Sequence, residues 1–198
     1  CDDGNIVSHD GCSSSCRLEI CAAVPASGCR LPIESQKALL SLKEKSTSDK
    51  DVFSWKWARG AATPKSAFGQ PNISTDYAVC LYDEQAGTPH LKLSVDAPHA
   101  GTCKGRPCWR ELSTGFKYSN SRAFPDGKLK VLLKEGLANG DAKIVIKGKG
   151  SVLLAPSLPL DQNPRVRLQL RNSAGACWEA SYGTSIGNLP TEFKAKSD

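Results

Sequence analysis

Three patterns in this 198-residue chain combine residue types that could do chemistry. Gly183-Thr-Ser185-Ile-Gly187 has the Gly-x-Ser-x-Gly spacing of a nucleophile elbow. That elbow works only with a strand before the serine, a helix after it, and a later acid and histidine. No histidine follows Ser185, so the match is a chance one. His9, His90 and His99 lie in separate loop-like settings, and a zinc or copper site would need a third convergent ligand. Asp83, Glu84, Asp96, Glu111 and Glu179 are candidates for a hydrolytic carboxylate pair, which only their separation in space could define. Lys147-Gly-Lys-Gly150 lacks the frame of a phosphate-binding loop.

The acidic turn residues Asp2, Asp3, Asn5 and Asp10 are the best metal candidates. Calcium takes hard oxygens from side chains and carbonyls, and a crosslinked turn can present them, so a structural Ca2+ is the one cofactor in view. The alternative is that these side chains cap local backbone N–H groups.

Nine cysteines stand at Cys1, Cys12, Cys16, Cys21, Cys29, Cys80, Cys103, Cys108 and Cys177. No Cys-x-x-Cys pair exists to suggest zinc, and five cysteines crowd the first 29 residues, so disulfides made outside the cytosol are the favoured reading. Oxidised thiols also disfavour a cysteine nucleophile. The expected links are Cys103–Cys108, closing a short turn, and Cys80–Cys177, pinning distant strands. The odd count leaves a free thiol, a lost partner or a lipid-modified Cys1 as alternatives. Without a methionine anywhere and with Cys1 first, the chain reads as a processed or truncated product.

The elements that position these groups change character along the chain. Residues 1–31 are Gly, Ser, Asp and Cys-rich, a knot of turns with a linker. Residues 32–51 predict a short helix and connector, with Pro32 and Glu34 suiting a first turn and Leu39, Leu40 and Leu42 an apolar patch. From Val52 to Asp198 the period is two: Phe53, Trp55 and Trp57, then Leu91, Leu93 and Val95, then Leu129, Val131 and Leu133, then Ile144 and Ile146, then Val166, Leu168 and Leu170. Asn139-Gly140 signals a hairpin between the Leu129 and Ile144 strands, and Pro125-Asp-Gly127 a turn before them. The expected fold is all-β, an antiparallel β-sandwich of jelly-roll or Ig-like type, carrying the helix and the stapled segment at its amino end.

The run Cys1-Asp2-Asp3-Gly4-Asn5, then Asp10-Gly11-Cys12-Ser13 and Cys16, resembles the myxobacterial-type cysteine-rich disulfide repeat, a short extracellular module. The resemblance covers residues 1–21, truncated at the start of a unit, and implies a secreted or surface parent. Residues 52–198 likewise resemble a domain of unassigned activity found after such repeats in secreted deltaproteobacterial proteins. The matching residues include Cys80-Leu-Tyr-Asp83, Pro107-Cys108-Trp109 and Cys177-Trp178-Glu179-Ala180.

The formal charge is +6, from 26 basic and 20 acidic residues. Lys128, Lys130, Lys143 and Lys147 fall on polar faces of predicted strands, as do Arg165, Arg167 and Arg171. Pairing of the 128–134 and 143–149 strands would gather their lysines on one surface, a candidate for anionic polymers. The competing reading is a solvated sheet edge, where lysine blocks aggregation. Trp55 and Trp57 share one strand face, which suits either a sugar-stacking platform or a core. Nucleic acid is disfavoured, because aromatics do not interleave with the charges. No run approaches the roughly 18 apolar residues of a membrane span, so a soluble chain is expected.

Together these features predict a secreted or outer-surface, non-catalytic module for extracellular binding or assembly, whose partner is a polysaccharide, another anionic polymer or a protein subunit. The alternatives are a structural subunit of an extracellular filament or complex, and a glycan-active hydrolase.

Overall fold

A computed structural model describes residues 19–121, 128–150 and 156–198. In chain order the strands are β1 (Ala38–Lys43), β2 (Val52–Gly60), β3 (Tyr77–Gln85), β4 (Thr88–Ala97), β5 (Thr102–Cys103), β6 (Arg106–Pro107) and β7 (Trp109–Leu112). They continue as β8 (Gly115–Asn120), β9 (Lys128–Lys134), β10 (Ala142–Lys149), β11 (Val166–Asn172), β12 (Cys177–Tyr182), β13 (Gly187–Leu189) and β14 (Glu192–Lys196). Eight strands form one sheet in the order β13-β14-β1-β2-β10-β9-β8-β7, four form a second in the order β12-β11-β3-β4, and β5 and β6 form a small hairpin. Every pairing between these strands is antiparallel.

Alternation builds the core. Phe53, Trp55 and Trp57 are buried on one side of β2, while Val52, Ser54 and Lys56 face out. Ile144 and Ile146 of β10, Val131 and Leu133 of β9, and Phe193 of β14 bury the same face of the larger sheet. They join Val79, Leu81, Val95, Leu168, Leu170 and Trp178 of the smaller sheet in one apolar cluster. Burying such a face removes about 1.5–3 kcal/mol of exposure per large aliphatic side chain, which is what holds two sheets together.

Polar atoms on the buried rings find partners across the gap. Trp55 Nε1 donates to Tyr182 Oη at 2.8 Å, and Trp57 Nε1 donates to the Glu179 carbonyl at 3.0 Å. Trp109 Nε1 donates to the Pro98 carbonyl and Trp178 Nε1 to Thr63 Oγ1. An unpartnered indole N–H would cost about 1–3 kcal/mol, so these bonds fix the lateral offset of the sheets as well as their spacing.

The helix expected within 32–51 is absent. Residues Ala38–Lys43 are strand β1, with Ala38, Leu40 and Leu42 buried and Leu39, Ser41 and Lys43 half-buried, and only a short 3-10 turn follows at Ser48–Lys50. The adjacent leucines resemble a helical patch, but the chain here lies between β14 and β2 and satisfies the backbone groups of both. Tertiary pairing outweighs a local helical preference that a six-residue segment could not sustain alone.

The Asn139-Gly140 signal does mark the β9–β10 connection, though as part of a longer loop than a two-residue turn. Asn139 Oδ1 accepts from Ala62 N, and Gly140 N donates to the Gly60 carbonyl. Pro125-Asp-Gly127 lies outside the described residues.

Disulfides join Cys21 to Cys80, Cys29 to Cys177 and Cys103 to Cys108. The turn-closing pair is as expected, whereas the Cys80–Cys177 link is not formed. Both cysteines point to the outer face of the smaller sheet, and each takes a partner from residues 19–30, which cross that face as a strap. Tyr82 Oη donates to the Ala22 carbonyl. Gln169 accepts from Ala26 N and returns a bond to the Ala26 carbonyl. Arg30 bridges in parallel to Trp178 at the β12 edge. Cys1, Cys12 and Cys16 lie outside the described residues.

Candidate functional site

The outer face of the eight-stranded sheet carries a grid of cations, and the strand register shows how it arises. One row across the sheet runs Arg110, Lys117, Leu132, Val145, Lys56, Leu39 and Lys196. The next runs Ser119, Lys130, Lys147, Ser54, Ser41 and Lys194. A third holds Lys128, Lys149, Val52, Lys43 and Glu192. Lys134 and Lys143 form a further opposed pair. Rows two residues apart along a strand stand about 6.6–6.8 Å apart, and neighbouring strands about 4.8 Å apart. The only acid on these strand positions is Glu192, which pairs with Lys43 at 3.3 Å.

The residues Lys128, Lys130, Lys143 and Lys147 singled out from sequence are thus on one surface, with Lys128 opposite Lys149, Lys130 opposite Lys147 and Lys143 opposite Lys134. Sequence alone missed Lys56, Lys117 and Arg110, because they share the face only through the register of β2, β8 and β7. Edge protection does not account for the lysine rows. β9 and β10 are interior strands, flanked by β8 and β2, and the sheet edges are β13 and β7. Like charges directly opposite one another oppose pairing by a few tenths of a kcal/mol to about 1 kcal/mol each. The face therefore carries a modest electrostatic strain that its hydrophobic underside outweighs.

Trp55 and Trp57 are fully buried against the second sheet, which corrects their reading as an exposed sugar platform. Their neighbours along β2 on the solvent side are Ser54 and Lys56. All strand aromatics of the larger sheet point inward, so its outer face offers charge, hydroxyls and the half-buried Leu39, Val145 and Leu132. The calcium candidates Asp2, Asp3, Asn5 and Asp10 lie outside the described residues. Among the described residues no cluster of three or more metal-ligating side chains occurs.

The acids considered for hydrolysis are tied into the scaffold. Glu84 receives Arg167 Nε at 2.6 Å, Asp83 sits 3.5 Å from Lys92, and Glu111 binds Lys65 at 2.6 Å. Glu179 accepts from Gln169 and from Ser181 beneath the strap, and Asp96 has a partner of its own. His99 Nδ1 lies 2.7 Å from Asp76 on the surface. Burial raises the hydroxyl pKa values of Tyr77, Tyr82 and Tyr182 above the ordinary tyrosine range.

Comparison with family models, with curated proteins and with solved structures finds no match for this chain. No helix among the described residues is long and apolar enough to cross a membrane.

Proposed function

We propose that the protein is a secreted or surface-exposed, non-catalytic binding module that attaches to an anionic extracellular polymer, an acidic polysaccharide, through the outer face of its larger sheet. The observation that carries this reading is the run of opposed lysines on interior strands, an arrangement unfavourable to the fold in isolation and relieved by a polyanion. Three disulfides among the described residues support an oxidising destination, as does the likeness of residues 1–21 to an extracellular repeat. Among the described residues the strap, held by two of those links, crosses the outer face of the smaller sheet, and the lysines Lys128, Lys130, Lys147 and Lys149 of the larger sheet are exposed.

A filament subunit is the weaker alternative. The edges of the larger sheet, β7 and β13, span only Trp109–Leu112 and Gly187–Leu189, and short edges are how sheets avoid pairing with copies, so pairing between copies would fall to the ten-residue β4 at the edge of the smaller sheet. Chromatography on immobilised acidic and neutral polysaccharides tests the proposal. Retention on the acidic matrix that salt releases, with none on the neutral matrix, supports it. Passage through both columns at low salt removes it.

A further inference from the structure

At the β7 end the basic face stops being flat. The β5–β6 hairpin, closed by Cys103–Cys108, stands beside the outer faces of β7 and β8 and encloses a groove of about 530 Å³. Among the described residues its charged lining is cationic: Lys104 and Arg106 from the hairpin, Arg110 from β7 and Lys117 from β8. Ser119 and Ser121 add hydroxyls. Among the described residues none of the four cations has an acidic partner.

Two details separate this groove from the lysine rows. Arg110 stands as an arginine within a row that otherwise carries lysines as its cations, and Arg106 joins it in the groove. Lysine is a mobile point charge, whereas a guanidinium offers a rigid fork that meets a planar carboxylate through two parallel hydrogen bonds. Lys104 also holds φ +53° beside Gly105 at +76°, a turn in which asparagine or glycine is usual at the first position. That turn lies inside the loop closed by Cys103–Cys108, at the groove wall.

We propose that this groove is a subsite for the carboxylate of a uronate unit in an acidic polysaccharide, with the polymer continuing over the lysine rows. The inference rests on the anionic-polymer reading and adds the chemical group that is selected. Arg106 and Arg110 grip the carboxylate, Lys104 and Lys117 raise the local potential, and the serine hydroxyls meet sugar hydroxyls. With no aromatic ring in the lining among the described residues, the groove selects by fork geometry and charge rather than by stacking.

The test is calorimetric titration of an oligogalacturonate tetramer, alongside retention on long-chain polyphosphate, with the folded state of each variant checked by its melting temperature. Arg106→Lys/Arg110→Lys keeps the charge and removes the forks. The expected result is a tenfold or greater loss of tetramer affinity, with polyphosphate retention changed less than about twofold. Tetramer affinity within about twofold of wild type in that variant, or a wild type that holds polyphosphate but not the tetramer, overturns the uronate subsite alone. A wild type that holds neither overturns the anionic-polymer reading with it.

Discussion

Lys130 and Lys147 stand directly opposite each other on β9 and β10, in the interior of the eight-stranded sheet with their side chains exposed to solvent. Because the pair is repulsive, stability and binding should respond to its removal in opposite senses. Lys130→Ser is expected to leave stability unchanged or raise it by up to about 1 kcal/mol, while lowering the salt needed to elute the protein from an acidic polysaccharide. Thermal melts at low and moderate salt check the first part. Wild type should gain stability as salt screens the face, and the variant should gain less.

Crosslink removal should rank by the length of chain each disulfide closes. Cys29–Cys177 spans 148 residues, Cys21–Cys80 spans 59 and Cys103–Cys108 spans 5. The chain-entropy account gives about 5, 4 and 2 kcal/mol respectively, less where one loop already contains another link. Paired Cys→Ser variants in denaturant titrations should reproduce that order, with the Cys103/Cys108 pair leaving the global fold intact.

Alkaline pH should unfold the protein through its buried tyrosines. Tyr77 and Tyr182 have hydroxyls that burial holds neutral well above pH 10, and Tyr82 shifts the same way. The folded state binds these protons more tightly than the unfolded state does. Their contribution is therefore fully present below about pH 10 and is lost as pH rises further, by about 1.4 kcal/mol per pH unit for each proton. Ultraviolet titration of tyrosine should show late, cooperative ionisation that coincides with loss of strand signal. Gradual ionisation near pH 10 in an intact fold would contradict the buried hydroxyls.

Gly60 closes β2 where the Trp57 ring crosses its backbone, and a Cβ there would fall 1.8 Å from ring carbon Cζ3. Gly60→Ala should cost about 1–3 kcal/mol by forcing that ring out of place. A chemical-denaturation midpoint below that of wild type, with unchanged slope, is the expected outcome.

Much of the larger sheet was legible in its alternation, because one dry face imposes a period of two on Phe53-Trp57, Leu129-Leu133 and Ile144-Ile146. β1 was not, since adjacent Leu39 and Leu40 fit helix and strand equally and only the neighbours β14 and β2 decide. β3 hid its two-faced nature differently. Tyr77, Val79 and Leu81 face the core, while Ala78, Cys80 and Tyr82 are buried beneath the strap, so its residues read as continuously apolar. The lysine pairs of β9 and β10 could be anticipated from one hairpin, but the full basic face depends on long-range register that no local pattern records. The Arg106–Arg110 groove is local in sequence, all of its lining falling within residues 103–121, but it escaped the sequence because β6 and β7 belong to different sheets and a period of two does not show that break.

The most direct test of the central claim is the salt dependence of binding to an immobilised polyuronate, for wild type and for Lys130→Ser/Lys147→Ser. If the interior lysines contact the polymer, the logarithm of affinity falls steeply with the logarithm of salt, and the slope shallows by roughly one to two on losing both charges. A slope identical in the two proteins, with the fold of both intact, would contradict the account.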